Sequence, residues 1–436
     1  MVSPLLEPFR EAYRNLELLP LRSDKELQRF AVKYGTEIIE ELEQLVEDSP
    51  SEDGKIILAG HRGCGKSTLL YEFKRKLDDR YFVVFFSISD MIEMSDVNHV
   101  SILFSIAVQM MSEAEAQNLT IKDSIKKSFY QWFAEQIRTE TNQADATVET
   151  GFNFSSLLAH IKGILKINST IREEIKQKYE RRITDLVAQI NIIASAIESQ
   201  SQKKILVIVD DIDKIDLAQV RDIFQYNIKA IMLPGFRIIM TIPIAALREV
   251  ALKATLQTET NDQIVQMPVY KLFKQGGINS PNAIPDPQII ATLTEIITKR
   301  IDPALIDPDT LEKICLYSGG VLRELIRITN DCCRVCLRSV RRYPDDNTLK
   351  IDQAVLEQSI TELSLDFAES IGTADEEIIK TVYEKSKPKY LKDQNFLDLL
   401  HGLYILEYRN GDLWYNVHPI IRYPIVVELM KKRGTI

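Results

Sequence analysis

The chain has 436 residues, 45% of them hydrophobic and 27% charged, with a formal net charge of −9. This composition suits a globular protein of roughly two to four domains. The acidic balance argues against a protein that coats nucleic acid by bulk charge alone. No apolar leader follows Met1, and the most apolar long stretch, 228–247, is interrupted by Pro234, Arg237 and Pro243. Neither a signal peptide nor a membrane span is therefore expected, and the expected location is cytoplasmic. Five cysteines, an odd count, fit a reducing compartment.

In chain order, Leu27, Phe30, Ala31, Tyr34, Ile38, Leu42 and Leu45 recur at helical spacing and predict a helix over 24–47, capped by Ser23 or Asp24. A polar loop at 50–54 leads to the apolar run 55–59, and then to GHRGCGKST at 60–68. This is the G-x-x-x-x-G-K-[ST] pattern of a P-loop, here in its required context of strand, glycine loop and helix. Gly60, Gly63 and Gly65 let backbone N–H groups turn toward phosphate oxygens with no Cβ in the way. Together with Cys64 and Thr68 they form the expected cradle for ATP. Lys66 would set a point charge on the β- and γ-phosphates, and the Ser67 hydroxyl would ligate Mg²⁺. The helix dipole adds to the attraction.

The run 81–88 reads as a second strand, apolar on both faces as central parallel strands are. A long helix-rich insertion over 112–202 follows, with a polar loop expected at 140–150. Within it, Ile171, Ile175, Tyr179, Ile183, Leu186, Ile190, Ile193 and Ile197 form one stripe along a helix ~40 Å long. The stripe offers either a partner-protein surface or a face packed on its own domain. Residues 205–209 make a third strand that ends in Asp210 and Asp211. There Asp210 would hold Mg²⁺ and Asp211 would orient and deprotonate the attacking water, with Asp213 a second candidate for the base. A fourth strand, 236–242, carries Thr241 at its tip, able to donate a hydrogen bond to the γ-phosphate or the water. A short fifth strand is expected at 263–267. Helical patterns separate the strands, so the core is expected to be a parallel α/β sheet.

Beyond 281–287 the pattern is all-helical, with helices expected at 288–300, 308–317 and from Ser318-Gly319-Gly320 to about 338. Arg323 on the last of these could reach the γ-phosphate from a lid. Cys332 and Cys336 lie one turn apart with no histidine near them in sequence, and read as small core residues.

The ordered set GHRGCGKST, VIVDD, IIMTIP and SGGVLRELIRI resembles AAA+ ATPases, with the SGG-x-x-R helix most similar to the lid of origin-recognition-type initiators and of STAND signalling ATPases. The resemblance covers about residues 20–340. It implies an ATP-bound core, a helical lid and assembly into a homo-oligomer. It also implies an arginine finger supplied by a neighbour, for which Arg248 is the candidate. The chain departs from the family in having Asp211 where AAA+ proteins usually carry Glu, which implies slow hydrolysis. The STAND pattern, with an acid two positions on, favours Asp213.

Toward the C-terminus, helical patterns at 375–385 and 396–400 precede two β-rich runs flanking Asn410-Gly411, a hairpin signal. This order resembles a winged helix. Lys385, Lys387, Lys389, Lys392 and Arg409 suit duplex DNA, while Asp393 and Asp398 oppose it. His418 stands where NB-ARC-type STAND proteins place a histidine against bound ADP. The expected division is an N-terminal helical segment (1–50), a P-loop core (51–280), a lid (281–345) and a winged-helix domain (346–436). The favoured function is an ATP-binding, ATP-hydrolysing switch whose nucleotide state controls self-assembly and partner binding. The alternatives are a DNA-associated ATPase and a non-hydrolysing nucleotide-locked scaffold.

Overall fold

The computed structural model describes residues 3–49, 51–134, 154–273, 283–385, 393–409 and 413–422. Five strands form one sheet: β1 (Lys55–Gly60), β2 (Tyr81–Ser87), β3 (Lys204–Asp210), β4 (Arg237–Pro243) and β5 (Ile264–Met267), in the order β2-β3-β4-β1-β5. β2 and β4 each pair in parallel with β3, with Ser87 opposite Asp210 and Val209 opposite Met240. Every residue of β1 and β4 is buried, as strands covered on both faces must be. Helices cover the sheet, giving the α/β architecture of a P-loop NTPase.

By their internal contacts the residues fall into two compact units, one of Glu37–Ala59 and Leu70–Val265, the other of Met1–Thr36, Gly60–Leu69 and Gln266–Ile436. The first contains β2, β3 and β4 and the helical insertion. Its centre is helix His99–Ala116, started by an Asn98 capping box and buried along most of its length. The expected single insertion helix is two, Ser169–Glu180 and Ile183–Ser201, both packed against His99–Ala116. The stripe stays in phase across the break at Arg181–Arg182. A continuous helix of ~40 Å would overhang a central helix only ~27 Å long; the break lets both halves lie on it. Ile171, Ile175, Tyr179, Leu186, Ile190, Ile193 and Ile197 are all buried, so the stripe is a core face of its own unit and not a free partner surface. The loop expected at 140–150 lies outside the described residues.

In the second unit, helix Leu6–Asn15 sets Phe9, Ala12 and Leu16 into a core with Leu293, Ile297, Leu325 and Cys332. The last four come from helices Pro287–Thr298 and Leu322–Arg342, which with Pro308–Tyr317 occupy the positions expected of a lid. Cys315, Cys332, Cys333 and Cys336 are free thiols in this apolar core, and burial pushes Cys315, Cys332 and Cys336 up to about 12. Buried in this core, they pack as small apolar residues. The helix expected over 24–47 is also interrupted. Asp24–Phe30 starts at a Ser23–Glu26 capping box, and Ala31–Gly35 is non-helical before Thr36–Glu47.

Helices Gln353–Ala368, Thr373–Lys385 and Gln394–His401 precede an antiparallel pair, β6 (Ile405–Arg409) and β7 (Leu413–Val417). The Tyr408 and Trp414 rings stack across it at 4.5 Å, both buried. The Asn410-Gly411 turn and Lys387, Lys389 and Lys392 lie outside the described residues.

Candidate nucleotide site

β1 runs straight into the glycine loop, and the helix Lys66–Leu77 starts at the motif lysine. Gly63 and Gly65 have φ of +76° and +101°, the left-handed region that only glycine enters without strain. The space at both is also taken: a Cβ on Gly63 would stand 2.4 Å from the Arg323 Cβ, and one on Gly65 2.5 Å from the Tyr34 hydroxyl. Lys66 is buried and its ammonium donates to the loop's own carbonyls, to His61 O at 2.7 Å and Gly60 O at 3.3 Å. Cys64 is buried, with Sγ 3.9 Å from the Lys66 Nζ. Ser67 is half-buried on the first turn of the helix, and the Thr68 hydroxyl accepts from Leu21 N at 3.2 Å.

Three other parts of the same unit meet this loop. The Arg323 amide donates to Gly63 O at 2.9 Å, which fixes the start of helix Leu322–Arg342 on the loop while the Arg323 side chain stays exposed. The Tyr34 hydroxyl donates to Gly65 O at 2.7 Å from the non-helical segment that the periodicity did not foresee. The Glu407 amide on β6 donates to His61 Nε2 at 2.9 Å, and both residues are buried. Sequence reading did not foresee His61, Tyr34 and Glu407 as partners around this loop. His61 fills one of the motif's variable positions, and a hydrogen bond across 346 residues leaves no local pattern.

In the unit that holds β3, Asp210, Asp211 and Asp213 are buried and bring one carboxylate oxygen each within 4.8 Å of the others. A set of hard oxygen donors of this kind suits Mg²⁺. Asp211 has φ of +69°. Its carboxylate is held by the Ser87 hydroxyl at 2.5 Å, the Ser89 hydroxyl at 3.2 Å and the Lys214 ammonium at 2.6 Å. Burial pushes this carboxyl up, but Lys214 and the two hydroxyls outweigh burial and hold it below its ordinary value. A carboxylate so engaged is a weak proton acceptor, which increases the interest of Asp213. Thr241 in β4 is fully buried, and its Oγ1 has no hydrogen-bond partner among the described residues. An unsatisfied buried hydroxyl costs about 1–3 kcal/mol, a cost that a bound water or phosphate oxygen would remove. Arg248 closes the short turn Ile244–Arg248 directly after β4.

His418 is fully buried at the N-cap of the turn Pro419–Ile421, with Nδ1 accepting from Ile420 N at 3.3 Å and its ring stacked on Phe367 at 5.6 Å. Its Nε2 has no partner among the described residues.

Residues 36–268, more than half the chain, match the KAP family P-loop domain. The chain belongs to this family. Its KAP domain begins at helix Thr36–Glu47 and ends with β5, so it contains the glycine loop, the acids after β3 and the insertion. Helices Pro287–Thr298, Pro308–Tyr317 and Leu322–Arg342 and the β6–β7 hairpin lie beyond it. No curated protein was found to match the sequence. Among solved structures, Cdc6p from Pyrobaculum aerophilum is 14% identical, with a TM-score of 0.39 over 93% of this chain and 98% of that one. The Aeropyrum pernix ORC1 protein, solved in complex with DNA, is 12% identical, with a TM-score of 0.38 over 96% and 98%. A Thermotoga maritima RuvB variant is 13% identical, with a TM-score of 0.38 over 96% and 99%. Among the described residues, no helix is long and apolar enough to cross a membrane.

Proposed function

We propose that this KAP-family chain is an ATP-dependent switch of the AAA+/STAND kind, in which the glycine loop both grips the triphosphate and reports its state to the lid and the C-terminal hairpin. One observation carries the reading: the loop touches the lid through Gly63 O and the Arg323 amide, and the hairpin through His61 and the Glu407 amide. A loop that must reshape its carbonyls and amides around phosphates cannot do so without disturbing these two bonds.

In this proposal the amides of residues 63–68 and the Lys66 ammonium hold the phosphate tail. Lys66 exchanges its present carbonyl partners for phosphate oxygens, a stronger charge-assisted bond. Ser67 and Asp210 would hold Mg²⁺, which would supply charge neutralisation at the phosphates. Asp211 orients water or is relieved of that task by Asp213, and Thr241 donates its unsatisfied hydroxyl at the γ-phosphate. Arg323, anchored by its backbone, swings its exposed guanidinium to the γ-phosphate. The His418 Nε2 is free to meet ADP in a closed state, and Arg248 acts on a neighbour's nucleotide in an oligomer. The β6–β7 hairpin with its three helices serves as the winged helix of the switch.

The test is a fluorescent-ATP titration paired with phosphate release. Lys66→Ala should weaken binding by at least about a hundredfold, since it removes the buried ammonium that this proposal sets on the phosphates. Asp213→Asn should lower turnover at unchanged affinity, by about 10²-fold or more for loss of a base, and Asp211→Asn by less. Retention of ATP binding in Lys66→Ala would reject the site. Full turnover in both aspartate variants would reject catalysis by this acidic cluster.

A further inference from the structure

An acidic chain would be expected to scatter its cations, yet five arginines converge on one groove far from the glycine motif in sequence. Helix Leu6–Asn15 packs along helix Leu322–Arg342 through Phe9, Ala12, Leu325 and their neighbours. Beside that seam lies a groove of about 430 Å³ lined by Arg10 and Arg14 from the first helix and Arg334, Arg338 and Arg341 from the second. Tyr13, 40% exposed, stands among them, and the buried Leu337 makes the floor. The spacings are i, i+4 on one helix and i, i+4, i+7 on the other. Each row therefore presents its guanidinium groups on one face at intervals of about one helical turn, ~5–6 Å.

Three carboxylates answer these five cations. Glu7 lies 3.3 Å from Arg10 and 3.5 Å from Arg14, Asp331 lies 2.8 Å from Arg334, and Glu362 lies 3.5 Å from Arg334 and 3.4 Å from Arg338. Arg341 is exposed and has no ion-pair partner among the described residues. The pairs to Glu7 and Glu362 lie at the surface, each worth about 0–1 kcal/mol, while Asp331 is mostly buried beside Arg334; the surface guanidinium groups can exchange a carboxylate for a stronger anion. All five cations are arginine and none is lysine. Arginine is the residue whose planar fork matches a phosphate in two parallel bonds. Two rows of evenly spaced forks fit a polymer of evenly spaced phosphates better than one small anion. A membrane surface would require exposed aliphatic side chains beside the cations, whereas the lining offers only the buried Leu337.

We propose that this groove binds the phosphate backbone of nucleic acid, without reading sequence, and that it does so independently of the ATP site. The experiment titrates the full chain into a labelled mixed-sequence duplex DNA and reads anisotropy between 50 and 200 mM salt. Five phosphate contacts predict a slope of log affinity against log salt of about −4 to −5. The exposed triple variant Arg334→Gln, Arg338→Gln, Arg341→Gln should bind roughly tenfold or more weakly and flatten that slope by about 3. It should bind labelled ATP as the parent does. A control with the same loss of charge elsewhere (Lys25→Gln, Lys229→Gln, Lys313→Gln) should keep the parent's DNA affinity.

Any of four results would overturn the proposal. The parent chain could fail to bind at 50 mM salt. The arginine variant could bind like the parent, or the lysine control could lose as much as the arginine variant. Finally, poly-glutamate or phosphatidylserine vesicles could capture the groove where the duplex does not, making the partner an acidic protein or a membrane.

Discussion

His418 shows how one side chain ties folding to pH. It is fully buried, caps Ile420 through Nδ1 and stacks on Phe367. Burial, with the nearby Arg327 charge, pushes its pKa down to about 3. The folded state therefore refuses a proton that the unfolded chain accepts near 6.5. The stabilisation is complete above that value and is lost as pH falls toward 3, by a few kcal/mol in all. Denaturant unfolding at pH 7, 5 and 4 should show the loss in the parent and a shallower one in His418→Asn, whose side chain can still cap the turn. Parallel losses in the two proteins would place the acid sensitivity elsewhere.

At the scale of elements, the insertion is held by Arg172 as well as by its apolar stripe. Its guanidinium is buried, donates to Asp96 at 2.9 Å, and also donates to the carbonyls of Leu165 at 2.9 Å and Lys166 at 3.0 Å. Arg172→Ala strands those acceptors and should lower the unfolding free energy by about 3 kcal/mol; Arg172→Lys, with one point charge in place of a fork, should recover less than half. A loss under about 1 kcal/mol would show that the stripe alone holds the helices. These elements also mark the limit of what the sequence made legible. The strands, the glycine loop and the helices at 287–298, 308–317 and 322–342 could be read because apolar runs and periodic spacing are local signals. The breaks at Ala31–Gly35 and Arg181–Arg182 could not, because the apolar stripe runs through both in phase. At Arg181–Arg182 no local breaker stands and tertiary packing interrupts the helix, whereas at 31–35 Gly35, with φ of +62°, adds a local break that the apolar spacing masked. The glycine-loop and Asp210-Asp211 motifs were legible for the same local reason, whereas the buried Ser87 and His61 and the exposed Lys214 are brought to them only by the fold.

At the scale of the whole chain, Tyr34, Arg323 and Glu407 are brought to one loop, at Gly65, Gly63 and His61, so the state of a few backbone groups is shared by the N-terminal segment, helix Leu322–Arg342 and the C-terminal hairpin. The central claim is that nucleotide on this loop moves those bonds. Amide hydrogen exchange at Arg323 and Glu407, with and without a slowly hydrolysed ATP analogue, tests it most directly. The account predicts that the analogue changes protection at both amides by roughly tenfold or more, equivalent to about 1.4 kcal/mol of local opening, and that Lys66→Ala abolishes the change. Saturating nucleotide that leaves both amides exchanging as before would contradict it.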